Sequence, residues 1–387
     1  MPKINADGSI FQRKDGKWVA SIITGKSENG GVKKKYFYGK SENEVRKKLK
    51  AFKSQLEKGE YVNVIKTDLA SFLRDWLHDE LSLTLKPKAY DAKEYVIEKI
   101  IIPNIGSYQV GNITRDDIQS FIKTISAKYA RSTVKKAYDA LNQRFKEAII
   151  NRSLIFNPCL GVKLPRVNES NKKEIRFFSR EEMVEILDAA DAVYPTGTKV
   201  CRLGKAIHLL YYTGLRPGEA IALTWDDINY ENKLINVNKN AVNVKNRGKN
   251  ENDDSQSNYV TIIQTSTKTE SGTRHVPMSS KAEAALKALQ ELNGCHKYVL
   301  AASTGRPITI RALEKMFHGI QSRAGIEEHG TLHSLRHTFA SHMLESGVDV
   351  KVVADILGHS DVTVTYNTYI HVIKKMKMQA VSKLDVL

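Results

Sequence analysis

Between Thr67 and Pro165 apolar residues recur at helical spacing almost without interruption, and that run restricts this part of the chain to a helical bundle. Leu69, Phe72, Leu73, Trp76 and Leu77 form one stripe; Val96, Ile97, Ile100 and Ile101 a second; Ile118, Phe121, Ile122 and Ile125 a third; Leu141, Phe145, Ile149 and Ile150 a fourth. Four or five helices result. Lys123, Lys128, Arg131, Lys135, Lys136 and Arg144 gather on the third and fourth, so one face could lie along a duplex. A merely solvated helix face reads equally well from this segment alone.

The segment before the bundle has a different period. Ile10–Arg13, Lys17–Ile23 and Lys33–Tyr38 read as three strands separated by the turn signals Lys14-Asp15-Gly16 and Ser27–Gly31. Ser41-x-x-Glu44 is a capping box, and Val45, Leu49, Phe52 and Leu56 give the helix behind the sheet its apolar face. Lys33, Lys34 and Lys35, interleaved with aromatics, suit phosphate contact, although lysines also protect a bare strand edge. After Pro165 a polar stretch without periodicity reads as a linker, and Ser179-x-x-Glu182 caps the next helix. Beyond it long helices mix with strands near Leu234–Val237, Tyr259–Ile263 and Arg274–Pro277, and the polar stretch Asn243–Asn258 reads as a flexible hairpin insertion.

Charge narrows the partner. The 387 residues carry 60 Lys and Arg against 43 Asp and Glu, a net +17, and residues 1–60 hold 15 of the cations against 7 acids. A polyanion is the first partner such a balance suggests. No run approaches the ~18 apolar residues needed to span a bilayer, and Met1–Gly8 lacks a signal-peptide core, so the chain is expected inside the cell. Cys159, Cys201 and Cys295 lie too far apart for a CxxC pair or a zinc pattern, and are expected as buried, reduced thiols.

Four blocks in the last region place polar residues in helical context. In Tyr211–Ala220, Thr213-Gly214 breaks one helix and Arg216 opens the next, where helix dipole and bare amides favour an anion. In Thr267–Pro277, two strand-like runs meet at Ser271-Gly272 with Lys268 beside the tip. In Thr331–Met343, Leu332, Leu335, Phe339 and Met343 bury one helix face and leave His333, Arg336 and His337 together on another, suited to a phosphate. The i,i+4 histidines would also suit a metal, but the zincin glutamate is absent and Arg336 would repel a cation. In Ile356–His371, Gly358 caps a helix, His359 follows, and a second helix from about Val362 carries Tyr369.

Taken in order, Arg216, Lys268, His333-x-x-Arg336, Leu357-Gly358-His359 and Tyr369 resemble the signature of the tyrosine recombinase, or phage integrase, family, particularly integrases of temperate phages and conjugative transposons. The resemblance implies a small α+β N-terminal arm-binding domain (1–62), an all-α core-binding helical bundle (63–166), a linker (167–175) and a mixed, mainly α catalytic domain with a small antiparallel sheet (176–387). It also implies a site-specific recombinase that integrates and excises a mobile element through a 3′-phosphotyrosyl intermediate and a Holliday junction, with no cofactor, metal or ATP. Tyr369 would be the nucleophile, Arg216 and Arg336 the phosphate clamp and His359 a further hydrogen-bond donor. His333 would assist as acid or base, Lys268 protonate the leaving 5′ oxygen, and Glu219 orient the site.

Tyr366 competes with Tyr369, and Lys245 and Lys249 with Lys268. Only Lys268 has the Lys-Thr-x-Ser-Gly-x-Arg-x-Val-Pro context, and Tyr369 is followed by x-His. The implied partners are double-stranded DNA at core and arm sites, three further copies in a tetramer joined through 373–387, an excisionase and DNA-bending factors, in the nucleoid-associated cytoplasm of a bacterial host. A catalytically silent DNA-binding regulator and a type IB topoisomerase remain as alternatives.

Overall fold

The structure, a computed structural model, describes residues 8–13, 15–26, 32–57, 67–151, 153–154, 156–166, 176–249, 257–265, 273–370, 372–373 and 378. The linker read at 167–175, Lys268, and 374–377 and 379–387 of the C-terminal segment lie outside the described residues. The chain divides into two compact units, Met1–Val167 and Asn168–Leu387.

In the first unit β1 (Ser9–Gln12), β2 (Trp18–Lys26) and β3 (Val32–Gly39) form an antiparallel sheet in that order, followed by α1 (Glu42–Glu57). Alternation along the strands turns Ala20, Ile22 and Phe37 toward Val45, Leu49 and Phe52 of the helix. The helix start is capped with a shift. Ser41 Oγ accepts from the Glu44 amide at 3.3 Å, but the Glu44 carboxylate accepts from Lys40 rather than from Ser41. The same alternation splits the lysine run. Lys34 is exposed on the strand face that carries exposed Tyr36 and Tyr38, whereas the Lys35 ammonium turns back to 4.5 Å from the Phe52 ring. Lys33 pairs in register with Gly25, and its side chain lies outside the described ones. The three lysines are therefore not one surface.

The bundle follows the four stripes closely. Asp68 caps α2 (Leu69–Asp75), accepting from the Ser71 amide at 2.8 Å, and the helix continues through a π-helical stretch, Trp76–Leu81, into the turn α3 (Ser82–Thr84). α4 (Pro87–Val96) likewise passes through π-helical Ile97–Ile101 into α5 (Ile102–Ile105), and α6 (Arg115–Ser126) and α7 (Arg131–Ile150) complete the set. Every stripe residue is buried except Ile149, half-buried, and Ile150, 77% exposed where α7 runs out of neighbours. Lys123, Lys135 and Lys136 are exposed, with Lys135 paired to Asp139 at 2.6 Å. Arg144 does not join them. Its guanidinium lies 4.4 Å from the Phe72 ring centre and 3.1 Å from Glu80, so it packs the bundle. Cys159 is buried, and burial pushes its thiol up to about 12, but Cys295 is exposed, against expectation.

The second unit builds one large core from α8 (Arg180–Asp191), α9 (Lys205–Thr213), α10 (Pro217–Ala222), α11 (Ser280–Asn293), α12 (Ile310–Arg323) and the start of α13 (Leu332–Glu345). Phe178 meets Phe317 edge-on at 6.1 Å in its interior. β4 (Ile228–Asn229), β5 (Leu234–Val237) and β8 (Arg274–Pro277) make a small antiparallel sheet, with Val237 opposite Arg274. β6 (Lys239–Lys245) and β7 (Tyr259–Thr265) form a separate hairpin. The expected insertion thus starts inside a paired strand, because Asn243, Val244 and Lys245 still have partners on β7. A smaller cluster joins Ala340 and Leu344 of α13 to Val353 and Leu357 of α14 (Val350–Leu357), and to Tyr369 and Val372 beyond α15 (Val362–Thr368). No described helix is long and apolar enough to cross a membrane.

Candidate active site

Two left-handed glycines shape the site. Gly214 ends α9 at φ +63°, and a Cβ there would stand 2.5 Å from the Phe339 ring; Gly358 ends α14 at φ +68°, where a Cβ would stand 2.8 Å from Arg274 Cδ. Both turns need glycine for conformation and for room. The first hands the chain to Arg216, the N-cap of α10, with Pro217 in the first turn. The second hands it to His359.

Glu219, 7% exposed, accepts from the Arg216 amide and guanidinium at 2.8 Å each and from both terminal nitrogens of Arg274 at 3.0 and 2.8 Å. Burial opposes its ionisation, but the hydrogen bonds and charge of Arg274, with Arg216 behind them, outweigh this and hold its carboxyl down at about 2. Arg274 also donates to the Ile356 carbonyl at 2.8 Å, so one side chain ties α10, β8 and the end of α14 together.

Arg336, 4% exposed, donates to the carbonyls of Gly214 at 2.9 Å and Leu357 at 2.6 Å and approaches His359 Nε2 at 3.1 Å. Among the described residues no carboxylate forms an ion pair with it. Burial, then Arg216, push it down to about 9, which leaves it charged at neutral pH. A guanidinium has no acceptor, so His359 Nε2 must accept, and Nδ1 carries the proton donated to Thr365 Oγ1 at 2.7 Å. Burial and the arginines push His359 down to about 4. Two guanidinium groups thus share the one buried carboxylate and Arg336, among the described residues, has none, so the cluster carries surplus positive charge suited to an anion.

Tyr369 follows α15 and is 2% exposed. Its hydroxyl lies 2.9 Å from His337 Nδ1, and burial pushes it up to about 12 against the pull of Arg336. Burial, followed by the charges of His333 and Arg336, pushes His337 down to about 4.

The structure therefore brings Arg216, Glu219, Arg336, His359 and Tyr369 together. His333 is exposed one turn before His337, Tyr366 is half-buried, and Lys249 bonds to Asn258 on the β6–β7 hairpin. Two residues of the cluster lie outside the catalytic set read from the sequence: Arg274, and His337, which the sequence places only on a phosphate-suited helix face. The signal for Arg274 was its place between the Ser-Gly turn and Val276-Pro277, and for His337 its helical spacing from His333.

The phage integrase family profile matches residues 176–376, and that of the phage integrase N-terminal SAM-like domain matches residues 69–126. A XerC-like tyrosine recombinase of Caldanaerobacter subterraneus subsp. tengcongensis is 30% identical over 96% of this chain and 97% of its own. The integrase of Staphylococcus phage L54a is 22% identical over 82% of this chain and 92% of its own. Among solved structures, the Tn1549 transposon integrase in complex with transposon right end DNA superposes with a TM-score of 0.64, at 21% identity, over 78% of this chain and 95% of its own. A lambda integrase tetramer bound to a Holliday junction gives 0.57 at 17% identity over 93% and 94%.

Fold and matches together define a tyrosine recombinase, a DNA strand-transferase. The chain belongs to the phage integrase family.

Proposed function

We propose that this integrase integrates and excises a mobile element by site-specific recombination, with Tyr369 as nucleophile. The observation that carries the reading is Arg336: a buried guanidinium held by two carbonyls and a neutral imidazole, beside Arg216, is a site short of one anion. A DNA phosphodiester supplies that charge. Arg216 and Arg336 grip its non-bridging oxygens as negative charge grows, without metal or ATP. The arriving phosphate also favours the protonated imidazole, which turns His359 Nε2 from acceptor to donor.

Tyr369 Oη then bonds to phosphorus, the bond to the 5′ oxygen breaks, and Lys268 protonates that oxygen. The 3′-phosphotyrosyl bond keeps the phosphodiester's energy for attack by a partner strand through a Holliday junction. Glu219 holds Arg216 and Arg274 in place, and His333 assists from the open side. Lys34, with Tyr36 and Tyr38, provides an arm-site face, and Lys123 and Lys136 a core-site face, in a tetramer on paired sites. That assembly works in the bacterial cytoplasm with an excisionase and bending factors.

The test is a nicked suicide duplex spanning the element's ends. Full-length protein should form a denaturant-resistant adduct, Tyr369→Phe none, and Tyr366→Phe a normal amount. An adduct with Tyr369→Phe would overturn the assignment, and relaxation of plasmid lacking any site would favour a topoisomerase.

A further inference from the structure

We propose that His337 is a further catalytic residue, the group that takes the proton from the Tyr369 hydroxyl as it attacks DNA. The inference rests on the recombinase reading and adds to it the destination of the nucleophile's proton. A phenol attacks phosphorus poorly while it keeps its proton, so a base must touch that oxygen. Among the described residues, His337 is the hydrogen-bond partner of the Tyr369 hydroxyl, at 2.9 Å.

The other candidates are occupied or distant. His359 spends Nε2 on Arg336 and Nδ1 on Thr365. Glu219 accepts from two arginines through both oxygens. His333 lies one turn back on the exposed side of α13.

In the proposed arrangement the phenol donates its hydrogen to Nδ1, so Nε2 carries the imidazole proton and the Nδ1 lone pair faces the nucleophile. The ionisable groups around the ring are Arg336 and His333 on its own helix, and His359 and Tyr369 from the segments packed against it. Burial, followed by the charges of His333 and Arg336, disfavours an imidazolium before DNA arrives and keeps the lone pair free at neutral pH, and burial keeps the tyrosine protonated and inert against the pull of Arg336. A phosphate between Arg216 and Arg336 offsets those charges and makes the imidazolium tolerable.

As the Oη–P bond forms, the hydroxyl proton passes to Nδ1. The P–O5′ bond breaks with its electron pair on the 5′ oxygen, which takes the proton assigned to Lys268. On religation His337 returns its proton to the tyrosine.

Single-turnover cleavage of the suicide duplex by the full chain tests this, with wild-type cleavage as the control on the recombinase reading itself. His337→Asn keeps an acceptor near the δ position but cannot hold a proton. It should bind DNA and melt like wild type yet cleave about 10²–10⁴-fold more slowly. Added imidazole should restore His337→Ala by at least about tenfold, and a 5′-bridging phosphorothiolate, which needs no proton on its leaving sulfur, should rescue neither variant. Cleavage by His337→Asn within about threefold of wild type would overturn the proposal, since an effect that small is below that of losing a base. So would rescue by the sulfur substrate, or imidazole rescue of His333→Ala in place of His337→Ala.

Discussion

Arg144 in the helical bundle and Arg336 in the second unit both lose most of their water, but the chain treats them differently. Arg144 lies over Phe72 and reaches the carboxylates of Glu80 and Glu147 at 3.1 and 3.8 Å. Its charge is answered from within, so it acts as a packing side chain with a polar tip. Arg336 is buried more deeply and meets carbonyl dipoles and an imidazole, with the nearby carboxylate of Glu219 already held by Arg216 and Arg274. Its hydrogen bonds fix direction but leave charge over. The surroundings, rather than the residue type, decide whether an arginine completes a fold or waits for a ligand.

That contrast breaks most visibly under substitution. Arg336→Ala should reduce single-turnover cleavage by about 10²–10³-fold or more, the scale of losing one preorganised donor to a developing anion. Arg144→Ala, measured in the same assay at saturating DNA, should cleave at the wild-type rate; a comparable loss in both variants would erase the distinction.

Glu219 sharpens the comparison through pH. Its carboxyl sits at about 2 in the fold against an ordinary 4.5, so the ionised form stabilises the native state fully above about pH 4.5 and progressively less as pH falls toward 2. A difference of that size is worth on the order of 3 kcal/mol. Urea unfolding of the second unit at pH 6 and pH 3 should show the loss in wild type and a much flatter response in Glu219→Gln. Equal slopes would mean that the arginines do not hold the carboxylate.

Stability should rank the two arginines in reverse. Arg144→Ala strands Glu147 and uncovers Phe72, at a cost of about 1–3 kcal/mol in the bundle's unfolding. Arg336→Met, which removes an uncompensated buried charge, should lower the DNA-free Tm less. The smallest effect belongs to the sheet. Lys34→Ala should weaken DNA binding slightly and reduce the slope of log affinity against log salt by about 1.

What could be read beforehand follows the range of the forces involved. β5 and β8 occupy Leu234–Val237 and Arg274–Pro277 as expected, because alternation and turn residues act over a few positions. Gly214 and Gly358 cap their helices for the same local reason. The π-helical stretches were not legible, since an extra residue per turn leaves an apolar stripe nearly unchanged over one repeat. Nor was the Arg274–Glu219 pair, 55 residues apart, or His337 on Tyr369, 32 apart. Pairing across such distances is decided by how elements pack, whereas the opposite facing of Lys34 and Lys35 follows from the alternation of the strand that carries them.

Tyr369 also serves as a core residue, packed with Ala340, Leu344, Val353, Leu357 and Val372 at the end of a seven-residue helix. In the proposed reaction a phosphate reaches that buried hydroxyl only if the short segment carrying it loosens, and short segments open at far lower free energy than whole domains. On that reading, the local opening of two helical turns would set part of the rate of strand cleavage. Warming, or pressure from any molecule leaning on α15, would then act as a throttle on cleavage that touches no group in the chemistry.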